Sequence, residues 1–275
     1  MNDTQDTTGA ARQPQLAYSE LQTEMQNEEG RRQKARKIVL VTQHFLGRDD
    51  LAGVRALDIG CSTGFTAEEL SLAGADVTGI DIDEPGLAAA TARVGDHISF
   101  VKAAGDDIPF PDHSFDLVIL NHIYEHVVDP DAIMSEIRRV LRPDGIVYMG
   151  LVNKFGVMEP HYHLPFLSWI PKRLAHRYIR ATGRADSYYE TFKTRAGLLR
   201  MCKGLTVWDY TYTVLTDSRR FGAEDVVPGP LASLPGAAWK LITPVIPTFV
   251  WVGTPGTRRP AGPLTTVEPS RASHA

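Results

Sequence analysis

The chain has 275 residues, 43% of them hydrophobic and 23% charged, with a formal net charge of -4 and a pI of about 6.1. That length holds one large α/β domain with elaborations or two small domains, and the acidic balance provides no global positive field, so nucleic acid is not expected as a partner. Two cysteines, Cys61 and Cys202, cannot build a disulfide framework or a metal cluster, and they fit a cytoplasmic protein.

Residues 1–15 are polar, rich in Thr, Gln, Asp and Gly, and are expected to be disordered. They contain no apolar core of a secretory signal, and no apolar run along the chain reaches the roughly 18 residues of a membrane helix. Residues 16–53 read as a mostly polar helical segment whose apolar positions include Leu16, Leu21, Met25, Ile38, Val39 and Leu40. From Val54 the rhythm changes. Residues 54–60 form a short apolar run ending in glycine, the pattern of a buried strand and turn. Strands at 75–81, 97–103, 115–121 and 146–152 follow, with helices at 65–75, 84–95 and 129–141 between them. The last helix is the best defined: Asp129 can cap it, Pro130 suits its first turn, and Ile133, Met134, Ile137, Val140 and Leu141 share one face. Strands alternating with helices in this way imply parallel βαβ units and a doubly wound sheet, which binds its ligands at the carboxyl ends of its strands.

The alternation stops at Asn153. Residues 153–190 are broken by proline and glycine and combine aromatic with basic side chains. A short helix at 194–204, an alternating strand at 206–215 and a last strand at 248–253 complete one domain, 54–253, with an inserted lid at about 153–190. The tail, 254–275, has the composition of a disordered segment.

Each strand end carries a useful group. The first loop runs Asp58, Ile59, Gly60, Cys61, Ser62, Thr63, Gly64. Its glycines allow backbone to approach a ligand, and the helix after it offers free N–H groups. A dinucleotide fingerprint requires glycine at three places; counted from Gly60, the second and third are Ser62 and Phe65. Asp58 would oppose a pyrophosphate but favour an ammonium group. Asp81 ends the second strand and can accept both hydroxyls of a ribose. Ile82 could pack on one face of an adenine. Asp106 could accept from the adenine amino group, with Ile108 on the other face.

The segments LDIGCSTGF, VTGIDID, DDIPFPDHSFDLVILNHIYEHVVDP and RVLRPDGIVYMG resemble successive motifs of class I S-adenosylmethionine-dependent methyltransferases of the type 11 or type 23 kind. The resemblance covers residues 54–152 strongly and the rest loosely. It implies a Rossmann-like, doubly wound seven-stranded α/β sheet with one antiparallel strand, and S-adenosylmethionine as cofactor. It places Asp58 near the methionine amine, Gly60 to Gly64 (Cys61 and Ser62 included) around the cofactor, and Asp81 on the ribose. Three positions depart from the family pattern. Ser62 replaces a glycine, Asp144 replaces another, and Ala104 stands where an acid is common, which leaves the adenine contact to Asp106 or to backbone.

Methyl transfer from a sulfonium is an in-line displacement, and alignment with exclusion of water can supply most of the acceleration. The fourth strand ends in Asn121, His122, Ile123, Tyr124, Glu125 and His126, which the fold sets beside the methyl group. His126 and His122 are candidate bases; the favoured reading is that Glu125 and His126 brace the loop as an oriented pair. In the insert, His161, Tyr162, His163 and Trp169 are candidates for the acceptor lid. The two insert histidines have no third ligand nearby in sequence, so no metal is expected. Residues 172–184, with Lys172, Arg173, Arg177, Arg180 and Arg184, read either as a solvated basic face or as a peripheral contact with a membrane or an anionic acceptor. The chain is expected to methylate a small-molecule or lipid-linked acceptor, at oxygen by preference, in the cytoplasm or at its membrane boundary. A methyltransferase fold that only binds is the alternative, and a nicotinamide oxidoreductase is disfavoured by Ser62 and Phe65.

Overall fold

A computed structural model describes residue 16, residues 27–225, 239, 241 and 243–272; the segment 1–15 lies outside the described residues. Helix α1 (Glu28–Leu46) opens on Asn27, whose side chain accepts the Gly30 N–H, and closes on Gly47 in the left-handed conformation. It buries Ala35, Ile38, Val41 and Phe45. Then come β1 (Arg55–Ile59), α2 (Phe65–Leu72), β2 (Asp76–Asp81), α3 (Glu84–Val94), β3 (Ser99–Lys102), β4 (Phe115–Asn121), α4 (Pro130–Val140) and β5 (Leu141–Val152). Asp129 caps α4 by accepting the N–H groups of Asp131 and Ala132, and Ile133, Met134, Ile137 and Val140 are buried as their spacing requires.

After the insert, the chain forms α5 (Lys172–Ala181) within it, then α6 (Arg195–Met201), β6 (Thr206–Asp209), α7 (Thr211–Thr216), β7 (Thr248–Thr254) and β8 (Ser270–Arg271). The sheet order is β3-β2-β1-β4-β5-β7-β6-β8. Strands β1 to β5 are parallel, and β7 runs against both β5 and β6. The chain leaves β1 for β2 on one side and returns to β4 on the other. This reversal of order makes the β1/β4 crevice a topological switch point, where such sheets bind ligands. Among the described residues, no helix is long and apolar enough to cross a membrane.

Three sequence expectations need correction. The strand expected at 206–215 ends at Asp209, because its carboxylate accepts the Thr211 N–H at 2.9 Å and starts a helix instead. The tail past 254 is ordered through residue 272 despite its polar composition. Its backbone finds partners: Ala261 N–H donates to Phe45 O, Trp208 Nε1 to Arg258 O, and Ala272 N–H to Val207 O. The two-residue β8 in this tail pairs with β6 and gives the sheet an eighth strand. Finally, the insert is part of the main core. Leu164, Leu167, Ala175, Ile179 and Tyr188 are buried in one cluster with Val147, Met149 and Leu151 of β5.

Candidate functional site

The carboxyl ends of β1, β2 and β4 open into a cavity of about 280 Å³. Its floor is the loop after β1. Gly60 and Cys61 both donate to Ile80 O, at 2.8 and 3.1 Å, which turns the chain sharply across the end of β2. Gly60 and Ser62 have φ of 71° and 46°, so the loop presents backbone, not side chains, to the cavity. A Cβ on Gly60 would lie 2.2 Å from Ile123 Cδ1.

Two carboxylates line this floor. Asp81 is held by backbone: its Oδ2 accepts Ser62 N–H at 2.7 Å and its Oδ1 accepts Asp83 N–H at 2.9 Å. Asp58 is buried, and its Oδ2 has no hydrogen-bond partner among the described residues. Burial, reinforced by the charge of Asp81, pushes the Asp58 carboxyl up to about 7. A buried carboxylate with an empty oxygen facing a cavity is a receptor for a cation.

Of the residues expected around a cofactor, Asp58, Gly60, Cys61, Ser62, Asp81, Ile82, Asp106 and Asn121 line the cavity. Gly64 and Ile108 do not. Gly64, with φ of 74°, begins α2 with its Cα facing Phe100 and Ala90 behind the loop. Ile108 turns into the core, since its N–H donates to Glu136 and its carbonyl accepts from Arg139. Sequence reasoning missed Arg31 and Lys34 of α1, which form part of the wall. Arg31 donates to Thr63 Oγ1 and lies 4.8 Å from the Phe65 ring centre. Three close-set cations, Arg31, Arg32 and Lys34, before an acidic floor were the available signal.

The far wall joins the β4–α4 loop to the insert. His122, His126 and His161 all line the cavity, beside Val127, Val128, Ile133 and Pro160. His161 Nδ1 lies 2.8 Å from Glu159 Oε1, whose other oxygen accepts the N–H groups of His161 and Tyr162. His161 Nε2 lies 3.0 Å from His126 Nε2. Burial pushes His126 down to about 4. Glu125 is buried among these rings, 3.6 Å from His122 Nδ1 and 4.0 Å from His161 Nε2, and neither of its oxygens has a hydrogen-bond partner among the described residues. Burial would raise its pKa, but the imidazoles outweigh that and hold it below the usual range. The pairing expected between Glu125 and His126 is therefore a wider group. The donor atoms of Glu125, His126 and His161 lie within 4.8 Å of one another, a set able to hold a metal ion. Of the two insert histidines weighed as ligands, only His161 joins this set; Glu125 and His126 come from the β4–α4 loop. The other lid candidates fall elsewhere. Tyr162 is buried with its hydroxyl donating to Glu190, and Trp169 donates to Gly156 O. Neither they nor His163 line the cavity.

A doubly wound sheet whose switch-point loop carries buried acid defines a receptor for a cationic nucleoside-type ligand. The comparisons agree. Residues 57–149 match the model of a family described as a methyltransferase domain. A ubiquinone biosynthesis O-methyltransferase of Neisseria meningitidis is 34% identical over 187 residues, 62% of this chain and 73% of that protein. A sterol 24-C-methyltransferase of Gibberella zeae is 38% identical over 113 residues, 39% of this chain and 28% of that protein. The crystal structure of an S-adenosylmethionine-dependent methyltransferase from Mesorhizobium loti matches the fold with a TM-score of 0.52 at 19% identity, over 78% of this chain and 95% of that one. The chain belongs to the class I S-adenosylmethionine-dependent methyltransferases. It is an enzyme of that class, and its cofactor is S-adenosylmethionine. The residues present fit that cofactor: the orphaned Asp58 oxygen suits its ammonium, and no phosphate is needed opposite the acid.

Proposed function

We propose that the enzyme methylates a hydroxyl group of a small-molecule or lipid-linked acceptor. Asp58 accepts the cofactor's ammonium, Asp81 its ribose hydroxyls, and Ile82 and Asp106 lie along the adenine. The cofactor supplies the electrophilic methyl group. The observation that carries the acceptor side is the cavity lining, to which Val127, Val128, Ile133 and Pro160 contribute together with the three histidines. Such a lining suits an apolar molecule bearing a polar reacting group. The named activity of the Neisseria relative supports oxygen as the methylated atom. The protein's own contribution is alignment and exclusion of water, worth as much as about 7–11 kcal/mol in well-oriented systems.

The test is to compare metabolites and lipid extracts of a deletion strain and its parent, then to supply the purified enzyme with the accumulated species. One accumulated compound lacking one methyl group, converted in vitro to its methyl ether, bears the reading out. A product methylated at carbon or nitrogen, or no accumulated species, overturns it.

The same reading puts the enzyme in the cytoplasm, in peripheral contact with the membrane. Arg173, Arg177, Arg180 and Arg184 are exposed around Leu174, with exposed Phe155, Phe166 and Trp169 close together. Basic side chains beside exposed aromatics suit an anionic lipid surface. Flotation with anionic but not neutral vesicles, lost when Arg173, Arg177 and Arg180 become Gln, is the expected result; indifference of the parent to both vesicles defeats it.

A further inference from the structure

The wall of three histidines contains a feature that methyl transfer by alignment does not need. Glu125 is almost completely buried, and neither of its oxygens has a hydrogen-bond partner among the described residues. A buried carboxylate without donors is costly, and proteins resolve it by protonation, by a cation or by a metal. Among the described residues, the ion-pair contacts of Glu125 are with His122 and His161.

The histidines are set up as ligands. Glu159 Oε1 lies 2.8 Å from His161 Nδ1 and orients the ring so that its Nε2 faces Glu125 and His126. A carboxylate behind a histidine is the usual outer partner of a metal-bound imidazole. Glu159 is itself locked by the two backbone N–H groups of His161 and Tyr162. His126 presents Nε2 to the same point, 3.0 Å from that of His161. A neutral imidazole is the form that binds metal. Four-coordinate zinc, with bonds of about 2.0–2.1 Å, keeps its ligand atoms roughly 3.3 Å apart. The separations of 3.0 Å between the two Nε2 atoms and 4.0 Å from His161 Nε2 to Glu125 Oε1 bracket that spacing.

We infer that Glu125, His126 and His161 bind one divalent transition-metal ion, with Glu159 as the group that orients His161. Two imidazoles and one carboxylate favour zinc and its neighbours in the first row over magnesium or calcium. Three protein ligands leave a coordination position open, and His126 and His161 both border the cavity. The ion would also join the β4–α4 loop to the insert, which are 35 residues apart at the two histidines.

The test uses the full chain, stripped with a chelator and dialysed, with no cofactor or acceptor present. It therefore stands or falls apart from the acceptor reading. Titration calorimetry with Zn²⁺ and Mg²⁺ is paired with Co²⁺ absorption, which reports tetrahedral coordination. One equivalent of Zn²⁺, a tetrahedral Co²⁺ spectrum and a raised Tm with Zn²⁺ are expected, with Mg²⁺ ineffective. His161→Ala should lose at least about tenfold in Zn²⁺ affinity, and Glu159→Gln about tenfold to a hundredfold. The cooperative melting transition of each variant verifies its fold, and the parent titration stands without them. Failure of the folded parent to bind Zn²⁺ stoichiometrically overturns the site. So does unchanged affinity in a folded His161→Ala, which would leave the Nε2–Nε2 contact a simple hydrogen bond.

Discussion

Asp81, at the end of β2, reaches to Ser62 in the loop after β1, accepting its backbone N–H at 2.7 Å. The residue therefore shapes the loop as well as facing the ligand. Asp81→Ala should weaken binding of the demethylated cofactor product by about tenfold to a hundredfold, the equivalent of roughly 1.5–3 kcal/mol for hydrogen bonds to a charged group. Calorimetry measures this directly. Asp81→Asn keeps an acceptor for one N–H and should fall between the two. A dissociation constant unchanged in both variants would remove Asp81 from the ribose site.

Asp58 makes cofactor affinity depend on pH. Its folded pKa, about 7, lies above the ordinary value of 3.8. Only the ionised form attracts an ammonium, so affinity should rise with pH up to about 7 and then level. For stability the sign is opposite. The folded protein keeps this proton between about pH 4 and 7 while the unfolded chain has lost it, so this group makes the empty fold less stable as pH rises through that window. Asp58→Asn should flatten both profiles. Binding isotherms and melts at matched pH values check the two slopes separately.

Gly64 has a left-handed φ of 74°, and a Cβ there would lie 2.8 Å from Phe100 Cζ and 2.9 Å from Ala90 Cβ. Gly64→Val should cost about 1–2 kcal/mol for backbone strain and about 1–3 kcal/mol for overpacking. The damage falls on the fold, through packing behind the loop. A variant with parental Tm but no cofactor binding would contradict this.

Leu167 is fully buried in the core shared by the insert and β5. Leu167→Ala should destabilise the protein by about 2–5 kcal/mol in a single cooperative transition. If a separate low-temperature transition appears instead, the insert unfolds on its own and is a detachable lid.

The parallel half of the sheet was legible because strands are short apolar runs closed by chemically marked residues: Gly60 after β1, Asp81 at the end of β2, Asn121 at the end of β4. Helix α4 announced itself through Asp129, Pro130 and its spaced apolar face. The failures share a cause, which is that side chains chose partners that hydrophobic periodicity does not show. Asp209 captured the Thr211 N–H and cut a strand short. Ile108 looked like an adenine cover, but Glu136 and Arg139 of α4 hold its backbone and turn it inward. The Glu125, His126 and His161 group needed the insert to fold back over β4, and no spacing rule contains that. The basic residues of α1 lie outside the segment that matches the family model, yet two of them border the cavity.

The strap formed by residues past 254 bears on how the protein is made. His44, near the end of α1, is fixed between the Tyr210 hydroxyl and Pro263 O, its last anchor lying 219 residues downstream. Ala261 donates to Phe45 O in the same place. The helix that brings Arg31 and Lys34 to the cavity is thus translated early but latched late. A ribosome-bound chain can complete the loop after β1 long before it can secure the wall opposite. Docking of α1, and with it that wall of the cavity, follows synthesis of residues 261–263.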